Sequence, residues 1–440
     1  MGRIAGKIPC YVPYTATGDE VVVRIVKQAH TYQIGHLTQL VTPSPDRVQP
    51  HCSHFGTCGG CQFMHLSLEK QRQTKQYWVE SGLQTAGIQA TMLPWIASDE
   101  MVSRRRIRLQ ATRNGDWGMN RWHSGMVEPI QRCSVISSQL QQIMNRLAVL
   151  PPAPLGAQLD LIQIGELVWI MGWGIQGTRG EYEKWHHQLG VDGSRWHHRN
   201  GGNHEFGVTT GTEWVGPLEM PIRMGAFTQH HPDLLEALVD VVMQSYHGQR
   251  MVWDLYGGGG LFGYQARHRG ALGVVIVETN PMAILDAQSH ELYGPSCEVI
   301  ESSVLDFLDT KKSDSGADWV IADPPRCGLG GEVITRLLSR SIPEITLIHC
   351  HWESMIRDVG ELVKGGYEIK WVQPIDLFPH TIHLELVTYL IKKGGGATHP
   401  LLKPHPNPPQ RGGSKIVFRG PAVPEPQQRG FTPLNPQDMG

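Results

Sequence analysis

"VWDLYGGGGLFG", residues 252–263, decides the fold. An apolar run carries Asp254, four glycines follow, and Leu261 and Phe262 resume an apolar pattern. This reads as strand, loop, helix. Glycines let backbone approach a ligand closely, and the loops after the strands of an open α/β sheet form its ligand crevice. The next apolar run, "LGVVIVETN" (272–280), ends in Glu278. An acid about twenty residues beyond such a loop can hold ribose hydroxyls. The loop fits NAD or S-adenosylmethionine (SAM); a plain tight turn is the structural alternative. No Gly-Lys-Ser/Thr follows, so it is not a Walker A loop.

Outward from this segment the same texture continues. "HPDLLEALVDVVMQSY" (231–246) has the spacing of an amphipathic helix. "MVWDLY", "DWVIAD", "ITLIHC" and "LELVTYLI" read as strands separated by helical patterns. That alternation predicts an α/β domain with a doubly wound, Rossmann-like parallel sheet over residues 216–393. In "ADPPRCGLGG" (322–331) two prolines stiffen the chain just after Asp323, which suits an active-site wall or a rigid turn. Residues 394–440 are rich in Pro and Gly with little apolar content, and disorder is expected there.

Toward the other end, residues 1–42 alternate apolar and polar, with a turn at Thr17-Gly18-Asp19. A small barrel of the oligonucleotide-binding (OB) kind is expected over 1–45. A β-rich central domain is expected over 46–215. Its apolar run "LDLIQIGELVWIMGWGIQG" (159–177) carries Asp160, Glu166 and several glycines, and so reads as paired strands, not a membrane helix. "LSLEKQRQTKQYWVESGLQ" (66–84) has helical spacing. "KWHHQLG" and "RWHHRNG" look alike; solvated hairpin ends are preferred over a metal role. "MGRIAGKIPC" lacks the apolar core of a secretion signal, so a cytoplasmic protein without membrane segments is expected.

Three of only eight cysteines fall in "HCSHFGTCGGCQFMH" (51–65): Cys52, Cys58 and Cys61. Thiols of an intracellular protein stay reduced, so the clustering points to metal or catalysis before disulfides. The formal net charge of −2 gives no global attraction for nucleic acid, so an RNA surface has to be a local patch. Arg104, Arg105, Arg106 and Lys75 are candidates for phosphate contacts, against the alternative of a solvated charged face.

Three segments near the C-terminus carry a family resemblance: "DPPRCGL" (323–329), "IHCHWESMIRD" (348–358) and "DLFPHTIHLELV" (376–387). With "SPDRV" (44–48) ahead of Cys52, Cys58 and Cys61, they resemble the RNA uracil-C5 methyltransferases, in particular the iron–sulfur branch that modifies 23S ribosomal RNA. The resemblance implies a SAM-dependent methyltransferase domain and an N-terminal TRAM barrel, whose start looks clipped here. It implies a [4Fe–4S] cluster held by Cys52, Cys58, Cys61 and the distant Cys133, with a four-cysteine zinc site as the alternative. It implies Cys350 as nucleophile, with Cys297 and Cys327 as competitors, and Glu385 as base. Gln229, Tyr256, Leu261, Glu278, Ser303 and Asp323 fall at cofactor positions, Asp323 also orienting the uracil, and Arg326 can meet base or phosphate. The implied partner is RNA, 23S ribosomal RNA before transfer RNA, with a monomeric enzyme. Where the family has Ser-Cys-Asn-Pro this chain has His349-Cys350-His351-Trp352, and Gly257, Gly260 and Leu261 depart from the usual glycine loop. A degenerate RNA-binding paralogue and a cluster-bearing NAD oxidoreductase are the rival readings.

Overall fold

Runs rich in Val, Ile and Trp build the sheet that positions the site. The computed structural model describes residues 2–394 except 5–7, 99–103, 123, 199, 200, 230 and 311–315. Its C-terminal sheet has seven strands: β1 (Met251–Leu255), β2 (Gly273–Glu278), β3 (Cys297–Glu301), β4 (Trp319–Ala322), β5 (Glu344–His349), β6 (Tyr367–Ile375) and β7 (Glu385–Lys392). Their order is β3-β2-β1-β4-β5-β7-β6. β1 to β5 pair in parallel, and β7 runs antiparallel to both neighbours. Val252, Ile276, Ile321 and Ile348 face one buried layer, and Trp253, Val275, Val320 and Leu347 face the other. Apolar residues on both faces are what a sheet covered by helices on both sides requires. The strand order reverses between β1 and β4, the position where ligands bind in such sheets.

The central region is a second seven-stranded sheet, mixed in direction. Gln158–Ile164 and Leu167–Trp173 form the expected hairpin. One face packs against helices Ser138–Arg146 and Arg179–Leu189 through Leu140, Leu159, Ile170 and Tyr182. The hairpin-end reading holds for one of the two Trp-His-His segments. The first lies on the Arg179–Leu189 helix, which a Thr178/Glu181 capping box starts and left-handed Gly190 ends. The second runs along strand Gly193–His197 into the hairpin with Asn203–Gly207, where the His198 N–H donates to the Gly202 carbonyl at 2.8 Å. Trp185 and Trp196 are both core residues, in ring contact with Tyr182 at 5.3 Å.

The N-terminal region forms a four-stranded sheet in which Gly2–Ile4, Ile8–Tyr11, Gln33–Thr42 and Glu20–Gln28 lie side by side in that order. Arg47, from the "SPDR" segment, joins this sheet to the cysteine segment. It donates to Asp19 at 2.7–2.8 Å and to the Tyr14 carbonyl at 2.8 Å.

Helix Leu68–Thr85 forms where its spacing predicts, but one of its basic residues, Lys75, does not face solvent. Lys75 is fully buried; its Nζ donates to Asp376 at 2.8 Å and to the Phe378 carbonyl at 3.1 Å. Gly82 lets this helix press on helix Trp352–Lys364, since a Cβ there would run into Ile356 and Trp352. Residues 91–96 cover the exposed edge of β6 through Leu93 N–H to Val372 O and Ile96 N–H to Pro374 O. No helix among the described residues is long and apolar enough to cross a membrane. The expected disordered tail lies outside the described residues.

Candidate active site

Strand ends bring the acidic and thiol groups together. The last pair between β5 and β7 is His349 with Leu386. One step beyond it stand Cys350 and Glu385. The register alone therefore sets the sulfur beside the carboxylate. β4 lies on the other side of β5 and delivers Asp323, whose N–H reaches the Leu255 carbonyl of β1 at 3.4 Å.

The electrostatics follow from burial. Glu385 is 2% exposed, and burial, then the neighbouring Asp323 carboxylate, raise it well above the ordinary range. Burial raises Asp323 to about 7. Cys350 is pushed up to about 11, first by burial and then by Glu385 and Asp323, while Arg326 pulls the other way. Arg326 also approaches His383, 3.4 Å from its Nε2. Burial, then Arg326, lower His383 to about 4, so this imidazole is neutral near pH 7.

Gln229 faces the same group. Its carboxamide donates to Asp323 at 3.4 Å and its carbonyl accepts from Arg105 at 2.6 Å. Arg105 is 5% exposed and also pairs with Glu213, so it holds Gln229 in place and is not a phosphate contact. The other cations of the expected patch are engaged too. Arg106 pairs with Asp160, and Arg104 donates to the Gly60 carbonyl at 2.6 Å and approaches the Cys61 sulfur at 3.8 Å. Lys75 and Arg105 are thus engaged inside the protein, whereas Arg104 and Arg106 are half-buried and keep part of their surface open.

The glycine loop lies one strand away. Gly257 cannot carry a side chain, since a Cβ would sit 2.7 Å from Ile276 and 3.0 Å from the Asp254 carboxyl. Tyr256 has φ +59° and Gly260 φ +84°, the turn that starts helix Leu261–His268. Glu278 ties the loop to β2: its Oε2 accepts from Gly258 N–H at 2.9 Å and its Oε1 from Thr279 and Asn280. With one acceptor site used, Oε2 has room for a hydroxyl. Asp254 is buried, raised to about 7 by that burial, and its Oδ1 has no partner among the described residues. Ser303 accepts the Asp306 N–H and donates to the Asp306 carboxylate, as a helix N-cap does. Leu261 is half-buried against the core. The crevice thus holds an orphaned acid, a cradle without side chains and an acid at the ribose position, which suits a nucleoside cofactor.

Cys52, Cys58, Cys61 and Cys133 line one cavity of about 480 Å³. Gly59 sits so close to the Asn120 carbonyl that a Cβ would lie 2.6 Å away, so only glycine fits at that position of the Cys-Gly-Gly-Cys segment. Among the described residues, no three His, Cys, Asp or Glu side chains are placed to hold a single metal ion. The same cavity reaches Arg326, Thr381 and His383. Among the described residues it is lined by five arginines, 104, 106, 108, 132 and 326, and by no carboxylate. Arg108 and Arg132 are the two that the sequence reading missed: Arg108 pairs with Asp160, and Arg132 is exposed at the cavity wall beside Cys133.

Comparison with known proteins agrees with this geometry. The family model described as conserved hypothetical protein 95 matches residues 233–357. An uncharacterized RNA methyltransferase of Streptomyces avermitilis is 26% identical over 86% of this chain and 92% of its own length. The 23S rRNA (uracil(1939)-C(5))-methyltransferase of Chromohalobacter salexigens is 26% identical over 87% of this chain and 84% of its own. The crystal structure of Pyrococcus abyssi tRNA (uracil-54, C5)-methyltransferase with S-adenosyl-L-homocysteine aligns with a TM-score of 0.70 and 25% identity, over 87% of this chain and 95% of that one. The chain is similar to RNA methyltransferases over most of its length. Its α/β sheet has the fold of a SAM-dependent methyltransferase.

Proposed function

We propose that the protein methylates C5 of a uridine in RNA, with 23S ribosomal RNA as the preferred substrate, through a transient Cys350–C6 bond. The observation that carries this reading is the side-by-side placement of Cys350 and Glu385, next to Asp323 and the glycine crevice. An NAD oxidoreductase needs the crevice but gives no role to that pair.

Uracil C5 is a poor nucleophile. Addition of the Cys350 thiolate to C6 places the electron pair on the C4–C5 enolate. When bound, SAM supplies an electrophilic methyl group. C5 takes that methyl, Glu385 removes the C5 proton, and the electron pair left behind expels the thiolate. Arg326 favours the thiolate and stands where it can meet the base or a phosphate. Gln229 and Asp323 fix the wall between uracil and cofactor. Arg132, exposed at the wall of the arginine-lined cavity, offers a cation to RNA phosphates.

The four cysteines around one cavity would suit a [4Fe–4S] cluster, in which each thiolate binds a separate iron, with a four-cysteine zinc site as the alternative. When bound, such a cluster supplies four Fe–S bonds that pin the loop. Anaerobically purified protein should carry about four irons per chain, and Cys133→Ser should lose most of them. Stoichiometric zinc instead would reject the cluster.

The function is tested with labelled SAM. Methylation of 23S ribosomal RNA from cells lacking the gene, with 5-methyluridine mapped in the product, is the expected result. Methylation of transfer RNA alone moves the substrate to the class acted on by the Pyrococcus enzyme. RNA binding without methylation leaves the degenerate paralogue.

A further inference from the structure

One carboxylate gathers three segments around Cys350. Asp358 lies on the helix that begins two residues after the nucleophile. Its Oδ2 is 3.1 Å from His349 Nε2, the residue just before Cys350. The same oxygen accepts the Leu329 N–H at 2.6 Å, from the loop that follows Asp323 and Arg326. Its Oδ1 accepts from Arg357 Nε and NH2 at 3.0 and 2.9 Å, and Arg357 also donates to the Cys327 carbonyl. Gly328, at φ +78°, leaves room for the carboxylate; a Cβ there would collide with it.

Asp358 and His349 are wholly buried, with side-chain exposures of 0% and 1%. Burial works against the carboxylate, but the His349 and Leu329 hydrogen bonds and Arg357 hold it below the usual range. A buried carboxylate satisfied by so many donors is costly to disturb, because each donor then loses its partner. His349 stands where the family pattern has serine, so this contact belongs to the chain's own departure from that pattern.

We infer that Asp358 is a positioning residue that, through His349 and Leu329, fixes Cys350 against the Arg326 loop. The inference rests on the proposed methyltransferase reading for its kinetic consequence. Two loops from different strand ends must stay in register for the sulfur and Arg326 to meet one uracil. A displacement near 1 Å is enough to slow a reaction about 100-fold.

The test uses the full-length protein, RNA carrying 5-fluorouridine, and SAM. Asp358→Asn keeps the volume but presents an amide to at least one donor. Covalent capture should slow about 100-fold, while RNA affinity by filter binding and SAM affinity by calorimetry stay within about threefold. His349→Gln can still donate to Asp358 and should capture within about fivefold of wild type, whereas His349→Leu should match Asp358→Asn. Without RNA, iodoacetamide labelling of Cys350, followed by mass spectrometry, should speed up about tenfold in Asp358→Asn as the strand end opens. Wild-type capture by Asp358→Asn or His349→Leu overturns the inference, as does failure of His349→Gln to rescue. If Asp358→Asn does not fold, the two His349 variants decide. If wild type itself captures no RNA, the methyltransferase reading fails, and the labelling rates still judge Asp358.

Discussion

Cys350→Ala protein forms no covalent complex with 5-fluorouridine RNA and SAM, and its methyl transfer falls at least about 10⁴-fold. Removing the nucleophile of a covalent mechanism costs on this scale, because the remaining binding groups cannot make C5 electron-rich. The rival thiols cannot substitute. Cys297 is fully buried on β3, and Cys327 lies exposed on the neighbouring loop with its sulfur toward its own backbone. In wild type the adduct therefore maps by mass spectrometry to the peptide holding Cys350; an adduct on Cys327 would refute the assignment. Because burial and two carboxylates push the thiol to about 11, the thiolate is scarce at neutral pH. The capture rate should climb roughly tenfold per pH unit while the pH stays below that value. A flat profile between about pH 6 and 9 would mean that the uracil meets a thiolate already formed.

Glu385→Gln separates the two halves of the reaction. Addition and methylation do not need the C5 proton removed; release does. With ordinary uridine RNA and SAM, this variant should accumulate a denaturation-resistant RNA complex, and turnover should drop about 10³-fold, within the range for a lost general base. Fast release by Glu385→Gln would pass the role to another group, with Asp323 the nearest. The sign of the pH effect follows from the raised carboxyl. Turnover in wild type rises with pH as Glu385 gives up its proton. Stability moves the opposite way. The native state keeps this proton at pH values where the unfolded chain has lost it, so the stabilising contribution is complete below the unfolded value and lost as pH rises through the folded one. Glu385→Gln removes that loss, and its melting temperature should exceed that of wild type at pH 8.

The C-terminal sheet was legible because its signals are local. Asp254, the glycines and Glu278 stand within one strand–loop–helix–strand stretch, and Cys350 follows one apolar strand while Glu385 opens another; the roles proposed for those two came from the family resemblance. β6 was not read from the sequence: it carries Pro374, which speaks against a sheet interior, and it holds because residues 91–96 supply a partner at the edge. The charges were misread for a different reason. Whether a cation faces solvent depends on its partner, and the partners are remote: Asp376 is 301 residues from Lys75, and Glu213 is 108 from Arg105. Periodicity marks a helix but not which of its polar residues a distant acid will claim. The Asp358 network was hidden likewise, because "MIRD" looks like an ordinary charged end of a helix turn.

The cysteine loop ends on the other half of the chain. The amides of Gln62 and Phe63 both donate to the His380 carbonyl at 2.9 Å, and the Lys75 ammonium waits for Asp376. During synthesis the first 85 residues therefore leave the ribosome with a cation and two amides whose partners do not yet exist. That segment stays open until nearly the whole sheet has emerged. The proposed cluster, if inserted early, would be held by a loop with nothing to lean on, so its delivery would belong with the closing of the last strands.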